Sequence, residues 1–153
     1  VTRSKDKYGF LKRDGYGAYL KRLINKYQLG DSVVFLGALD AEGMKNQYLK
    51  ANVFVCPSSI ENSPNSLGEA QILGTPCVAS YVGGVMDMMA GDERNMYRFE
   101  EIEMLAYKIC EVFSNGDSLK ADIREKAQER HSPEANSRQL LYIYNCVREH
   151  NQL

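Results

Sequence analysis

The sequence is poor in the residues that build metal and redox centres. It holds two histidines and four cysteines in 153 residues. Cys56, Cys77, Cys110 and Cys146 are far apart, with no Cys-x-x-Cys pair and no Cys/His ligand spacing. Each falls inside an apolar pattern, where cysteine acts as a small hydrophobe. A reducing cytoplasm is the location this predicts. His131 precedes Ser132-Pro133 with no ligand partner at useful spacing, which fits a helix-end cap rather than catalysis. No Asp-x-Asp occurs, so neither a metal nor another cofactor is expected. An excess of one charge is also missing: 19 basic against 20 acidic residues leave a formal net charge of -1. That balance argues against a nucleic-acid partner and against an anionic membrane surface held by bulk charge. No bilayer-spanning run occurs; the most apolar region, Ile72 to Gly91, is interrupted by Pro76, Gly83, Gly84 and Asp87. Signal peptide, internal repeat and low-complexity segment are absent too, and the start at Val1 without a methionine reads as a piece of something longer.

What is there gathers around residues 52–80, NVFVCPSSIENSPNSLGEAQILGTPCVAS. Val53-Phe54-Val55-Cys56, stopped by Pro57, reads as a strand buried on both faces of a parallel sheet. Ser63-Pro64 predicts a hydroxyl cap with proline at the first helical position, and Leu67, Ala70 and Leu73 form the inward stripe of a short helix that Gly74 ends. Thr75-Pro76 leads into a second strand, Cys77-Val78-Ala79. The stretch is therefore one β-α-β unit, with its polar loop at the sheet edge where open α/β folds bind ligands. Asn62, Ser63, Asn65 and Ser66 are small and polar and lie at a helix amino end, whose free N–H groups and dipole suit a phosphate. Glu61 and Glu69 flank that loop. A carboxylate is repelled by phosphate, so each glutamate is better used accepting hydrogen bonds from neutral sugar hydroxyls. The competing meaning of a glutamate in the second helical turn is an ordinary solvated side chain.

Elsewhere the chain reads as alternating elements. Residues Val1 to Asp14 form an irregular charged leader whose Lys5, Lys7, Lys12 and Arg13 either are solvated, the commoner case, or reach a phosphate. Gly15-Tyr16-Gly17 lacks the preceding strand and third glycine of a dinucleotide loop. Tyr16, Tyr19, Leu20, Leu23, Ile24 and Tyr27 follow helical spacing, read as core-facing, with Gly30 as the terminator. Val33-Val34-Phe35-Leu36-Gly37 reads as a short buried strand, and Asp40 to Lys50 as a helix with Met44, Tyr48 and Leu49 inward. Gly83 and Gly84 follow the second strand of the central unit, either lining a pocket or starting a helix after a flexible turn. Asn95 to Phe99 suggests another strand. Ile102, Leu105, Ala106, Ile109 and Phe113 define a helix stopped by Asn115-Gly116, and further helices run from Leu119 to Arg130 and from Glu134 to Glu149. The last carries Leu140, Leu141, Tyr144 and Val147 on one face. The fold class is α/β, a Rossmann-like parallel sheet with flanking helices.

The stretch PSSIENSPNSLGEAQILGTPCVAS resembles the donor-binding motif of retaining GT-B glycosyltransferases of the group 1 type, also called family 4. The shared pattern is Pro-Ser after a strand, Glu, seven residues, Glu-Ala, then Gly-x-Pro and an apolar strand. The resemblance implies that Glu61 serves hydroxyls of the transferred sugar and the reacting end of the donor. Glu69 would serve the ribose hydroxyls, and the backbone from Asn62 through Ser63, Asn65, Ser66 and Leu67 would hold the diphosphate. Gly83 and Gly84 resemble a glycine pair at the same sheet edge. Many members carry Gly-Phe-Gly where this chain has Asn62-Ser63-Pro64, and the usual glycine before the strand near residue 96 is Arg94. By this resemblance the chain is part of the carboxyl-terminal, nucleotide-sugar-binding domain of a GT-B enzyme whose acceptor domain is absent. The implied partners are a nucleotide-diphosphate-sugar donor and, through the missing amino-terminal domain, a glycan or lipid-linked acceptor in polysaccharide biosynthesis. A missing central strand would leave unpaired sheet edges on either side of the gap. The other function class is a non-catalytic α/β module that binds sugar nucleotides or a protein partner without turnover.

Overall fold

A computed structural model describes residues 15–150. The chain divides into two compact units, Val1–Asp40 and Ala41–Leu153. The first contains α1 (Tyr16–Lys26). This helix does not run to Gly30. It ends in a Schellman closure, with Leu29 N–H on Ile24 O at 2.9 Å and Gln28 N–H on Asn25 O at 3.2 Å, and Gln28 takes the left-handed position at φ 55°. Of the helical stripe only Ile24 is buried, while Tyr16, Tyr19 and Tyr27 face solvent. The strand expected at Val33–Leu36 is not formed: residues 33–37 are irregular, and Val34 is 69% exposed. Among the described residues the strands all belong to the second unit.

The second unit begins with α2 (Ala41–Lys50) and β1 (Phe54–Cys56), followed by α3 (Asn65–Ile72) and β2 (Cys77–Ser80). A short α4 (Val85–Met88) and a 3-10 turn at Glu93–Asn95 precede β3 (Met96–Tyr97), and the long α5 (Ile102–Arg130) and α6 (Pro133–His150) complete it. The sheet is parallel in the order β1-β2-β3, with Phe54 opposite Cys77 and Ala79 opposite Met96. Alternation along β2 sends Cys77 and Ala79 to a core shared with Leu67, Ala70, Val85, Met88 and Met89. Val78 goes to the other face, against Tyr97 and Val112. Burial on both faces is why these strands read as continuous apolar runs. Burial also pushes the Cys77 thiol pKa up, keeping it a neutral hydrophobe.

The β1-α3-β2 unit follows its local signals closely. Leu67 and Ala70 are fully buried and Leu73 packs against the same core; burying Leu67 alone is worth roughly 1.5–3 kcal/mol. Gly74 at φ 78° ends α3 in a second Schellman closure, Thr75 N–H bonding Ala70 O at 2.9 Å and Gly74 N–H bonding Gln71 O at 2.9 Å. The cap at the other end differs from expectation. Pro64, not Ser63, is the N-cap residue, and no side chain caps the helix. Ser63 points its hydroxyl at Met88 Sδ instead, 3.6 Å away.

The break expected at Asn115-Gly116 does not occur, and α5 runs through it for 29 residues. Ser114 and Asn115 bond back to the carbonyls of Cys110 and Glu111 at 2.9 and 3.0 Å, which turns two residues with a taste for turns into helix-compatible ones. Gly116 is the contact point: a methyl there would sit 3.2 Å from Pro76 Cγ and 3.5 Å from Asn52 O. Its small size admits the connections around β1 and β2 to the helix surface. The first half of α5 covers the sheet through Leu105, Ile109 and Val112. The second half reaches α3, where Arg124 donates to Leu73 O at 2.9 Å and Arg130 to Gln71 Oε1 at 3.3 Å. Leu49 of α2 is exposed, and α6 buries none of its residues, leaving Leu140, Leu141, Tyr144 and Val147 on the surface. Among the described residues no helix is long and apolar enough to cross a membrane.

Candidate active site

The carboxyl ends of parallel strands lie at one edge, and β1 delivers the Glu61 loop there. Two hydroxyls hold its first turn. Ser80, at the end of β2, donates to Ser58 O at 2.6 Å, and Ser58 in turn donates to Glu61 Oε1 at 3.3 Å. The carboxylate of Glu61 is thereby held half-buried while its second oxygen carries no described hydrogen bond. Glu69 is held from the opposite side of α3. Tyr48 of α2 is buried, its ring edge-on to Phe54 at 5.5 Å between centroids, and its hydroxyl donates to Glu69 Oε2 at 3.2 Å. Thr75 donates to Tyr48 O at 2.9 Å, tying α2 to the turn after α3. Burial, reinforced by the Glu69 charge, pushes the Tyr48 phenol up to about 12. Tyr48 therefore stays a donor throughout the neutral range, and Glu69 keeps one oxygen fixed and the other available.

Between the glutamates lies the amino end of α3. Asn62, Ser63 and Asn65 are exposed and Ser66 is half-buried. The absence of a side-chain cap leaves the first amides, at Asn65 and Ser66, directed at whatever occupies the loop. Leu67 does not face the loop; its side chain is wholly inside the core, and its N–H bonds Pro64 O at 3.0 Å. Gly83 and Gly84 come to the loop from behind. A methyl on Gly83, which sits at φ 45°, would fall on Glu61 O, and one on Gly84 would fall on Asn62 O. The glycine pair is thus a backbone bearing surface for the two residues that begin the loop.

The sequence places Tyr48 inward with no part in the site, and Ser58 enters only through the Pro-Ser of the motif. Tyr48 lies 21 positions before Glu69, a separation that no local pattern encodes. His131 closes α5, as its place before Ser132-Pro133 predicts. Its Nε2 is also buried without a hydrogen-bond partner, 3.4 Å from where a methyl on Gly68 would be. Burial, with Arg130 adding to it, holds the imidazole pKa below its usual value, so the neutral ring acts as a spacer under α3.

The parallel sheet with flanking helices is a piece of the α/β fold of the GT-B glycosyltransferases, as a solved structure and a family profile show. The solved structure of sucrose-phosphate synthase from Thermosynechococcus elongatus superposes with a TM-score of 0.73 at 29% identity, covering 88% of this chain and 35% of that one. The particular family follows from the sequence profile of the glycosyl transferases group 1, which matches residues 13–130. The chain belongs to that family. It is 27% identical over 129 residues to an uncharacterized glycosyltransferase of Methanocaldococcus jannaschii, covering 80% of this chain and 33% of the relative. It is 30% identical over 139 residues to a Salmonella typhimurium protein provisionally named as a colanic acid biosynthesis glycosyltransferase, covering 84% of this chain and 34% of the relative. The chain thus spans about a third of the length of these relatives.

One prediction arises directly from the geometry. In the full-length protein, Tyr48→Phe removes the hydroxyl that fixes Glu69 but leaves the packed ring. On the donor-binding role proposed below for Glu69, donor KM is expected to rise about fivefold, the equivalent of a lost hydrogen bond of about 1 kcal/mol, with kcat unchanged. Initial-rate kinetics against a nucleotide-sugar donor check it, and a fall in kcat with unchanged KM would count against this role for Tyr48.

Proposed function

We propose that this chain supplies the donor site of a retaining glycosyltransferase, which moves a sugar from a nucleotide-diphosphate donor to an acceptor hydroxyl. The observation that carries this reading is the pair Glu61 and Glu69, each fixed by a separate hydroxyl, on either side of the uncapped amino end of α3. That arrangement suits an elongated ligand with neutral hydroxyls at both ends and negative charge in the middle. The sugar lies by Glu61, the diphosphate on the amides of Asn65 and Ser66 beside Asn62 and Ser63, and the ribose diol by Glu69. As the anomeric bond breaks, negative charge grows on the departing diphosphate and positive charge on the sugar ring. The helix dipole stabilises the first and Glu61 the second. Gly83 and Gly84 hold the loop backbone in place for both. Retention rests on the sequence motif that Glu61 and Glu69 share with the retaining enzymes of the group 1 type.

The relatives are about two and a half times as long as this chain, and the bulk of the acceptor, a glycan or a lipid-linked saccharide, is assigned to the remainder of a parent protein. The relative named for colanic acid biosynthesis supports surface-polysaccharide assembly as the setting. A cytoplasmic location agrees with the four free cysteines. The direct test is calorimetric titration of the full-length protein with a panel of nucleotide-sugars, coupled to a transfer assay. Binding that Glu69→Ala weakens, with product formed, supports the reading. Binding without product from any acceptor in the panel supports the non-catalytic module instead.

Donor binding in this proposal needs no divalent ion. Its support is the charge-neutralising role that an uncapped helix end can take. Activity of the full-length protein is expected to survive EDTA unchanged. Loss with chelator and recovery with Mg²⁺ or Mn²⁺ would overturn this part of the proposal.

A further inference from the structure

A second cavity opens at the same carboxyl edge of the sheet, beyond the donor loop. It has a volume of about 460 Å³ and is lined by Tyr81, Met96, Tyr97, Arg98, Glu101 and Met104, a size within the usual range for small-molecule sites. Tyr81 is the first residue after β2 and Arg98 the first after β3. The Tyr81 N–H bonds Tyr97 O at 2.8 Å, so the two chain ends that form the rim are tied together. Two residues beyond Tyr81 the chain presses Gly83 onto the Glu61 carbonyl. The strands that carry Glu61 and Arg98 are two spacings apart, or about 10 Å.

The lining has a definite chemistry. Met96 and Tyr97 form a buried floor, whereas Tyr81 is 49% and Met104 41% exposed. Arg98 and Glu101 stand exposed on the rim. Neither side chain forms an ion pair or hydrogen bond with any described residue, and Glu101, although the N-cap residue of α5, does not use its carboxylate as a cap. The site therefore offers an aromatic face, two thioethers, a fork of N–H donors and a carboxylate acceptor, all unspent. One positive and one negative group cancel, and the neighbouring Glu100 and Glu103 oppose any anion, so a phosphate or nucleotide is disfavoured. A neutral polyol with one apolar face suits the set: the C–H face of a pyranose lies on the aromatic ring while its hydroxyls meet the carboxylate and the guanidinium.

We propose that this cavity binds a neutral pyranose unit of the acceptor glycan, beside the donor sugar. The proposal rests on the glycosyltransferase reading of the Glu61 loop. It assigns Tyr81 as the stacking platform and Arg98 and Glu101 as the hydroxyl-reading pair. Because Tyr81 lies two residues before the glycines that bear on Glu61, a sugar seated here is next to the reacting end of the donor.

The test is saturation-transfer NMR on the full-length protein, with methyl α-D-glucopyranoside, methyl α-D-mannopyranoside and methyl β-D-galactopyranoside as separate probes. At least one probe is expected to give signal in the wild type. Tyr81→Ala is expected to weaken that signal about tenfold, Tyr81→Phe to keep it, and inorganic phosphate not to displace it. Arg98→Gln, at an exposed side chain, gives a second loss of signal that does not depend on the Tyr81 variant folding. Glu69→Ala should leave the signal intact. No signal from any of the three glycosides, a signal that survives Tyr81→Ala in folded protein, or one lost with Glu69→Ala would overturn the subsite. Failure of the donor reading shows separately, as absence of nucleotide-sugar binding while the Tyr81-dependent glycoside signal persists. In the transfer assay, Tyr81→Ala is expected to raise acceptor KM about tenfold and leave donor KM within about twofold; an unchanged acceptor KM counts against the proposal.

Discussion

Glu61→Gln in the full-length protein is expected to lower kcat by roughly ten- to a hundredfold while donor affinity changes far less. The carboxylate stands at the start of the loop, one oxygen held by Ser58 at 3.3 Å, next to the position proposed for the sugar. Its interaction strengthens as positive charge develops on the ring, so it contributes more in the transition state than in the ground state. Glutamine keeps the shape and the bond from Ser58 and removes only the charge. Glu69→Ala is expected to behave differently. Its proposed contact with a ribose diol is the same in both states, so donor KM should rise roughly ten- to a hundredfold and kcat should fall much less. Steady-state kinetics on both variants, with melting temperatures measured alongside, separate the two roles. If both variants stay within about threefold of wild type, below the weakest charge-assisted bond assumed here, the glutamates are surface residues and the proposed function fails.

Gly84→Ala is expected to reduce kcat/KM by about a hundredfold or more, with neither glutamate altered. The added methyl would occupy the place of Asn62 O. Backbone, not the end of a flexible side chain, is what would have to move. A shift of about 1 Å at Asn62 carries Glu61 and the start of α3 apart, and misplacement on that scale costs about two orders of magnitude in a preorganised site. Gly83→Ala adds strain at positive φ to the same collision with Glu61 O and should be at least as damaging. Gly30→Ala is the control: among the described residues its methyl meets nothing within 4 Å, and activity should be unchanged. Circular dichroism and thermal melting distinguish a displaced loop from a lost fold. Full activity in Gly84→Ala would mean that the loop does not bear on the glycine pair.

The parts of the fold legible in the sequence are those whose signals sit within a few residues of what they specify. The unit from β1 to β2 announces itself through apolar runs, Pro57, the stripe of Leu67 and Ala70, and Gly74, whose φ of 78° is what a Schellman closure requires. Glu61 and Glu69 are picked out by a resemblance, since their spacing, together with the neighbouring Pro-Ser and Gly-x-Pro, forms a compact motif, and the donor role it implies is a proposal. Where local signals misled, a longer contact had overruled them. Asn115-Gly116 carries the residues of a turn, yet the approach of Pro76 to Gly116 and the back-bonding of Asn115 keep α5 continuous. Val33–Leu36 carries the residues of a strand, yet the backbone there is irregular.

By itself, then, the sequence determined the α/β class, the parallel strand-helix-strand centre and the presence of a glutamate at each side of the loop. Those are consequences of periodicity, backbone restriction and short-range hydrogen bonding. Only the tertiary structure decided that Tyr48 fixes Glu69, that Ser80 and Ser58 fix Glu61, that Gly83 and Gly84 bear on the loop backbone, and that Tyr81 and Arg98 share a cavity. Each of these contacts joins residues that chain connectivity leaves apart and that strand order brings to one edge. The relevant quantity is distance across the sheet, and a one-dimensional pattern does not carry it.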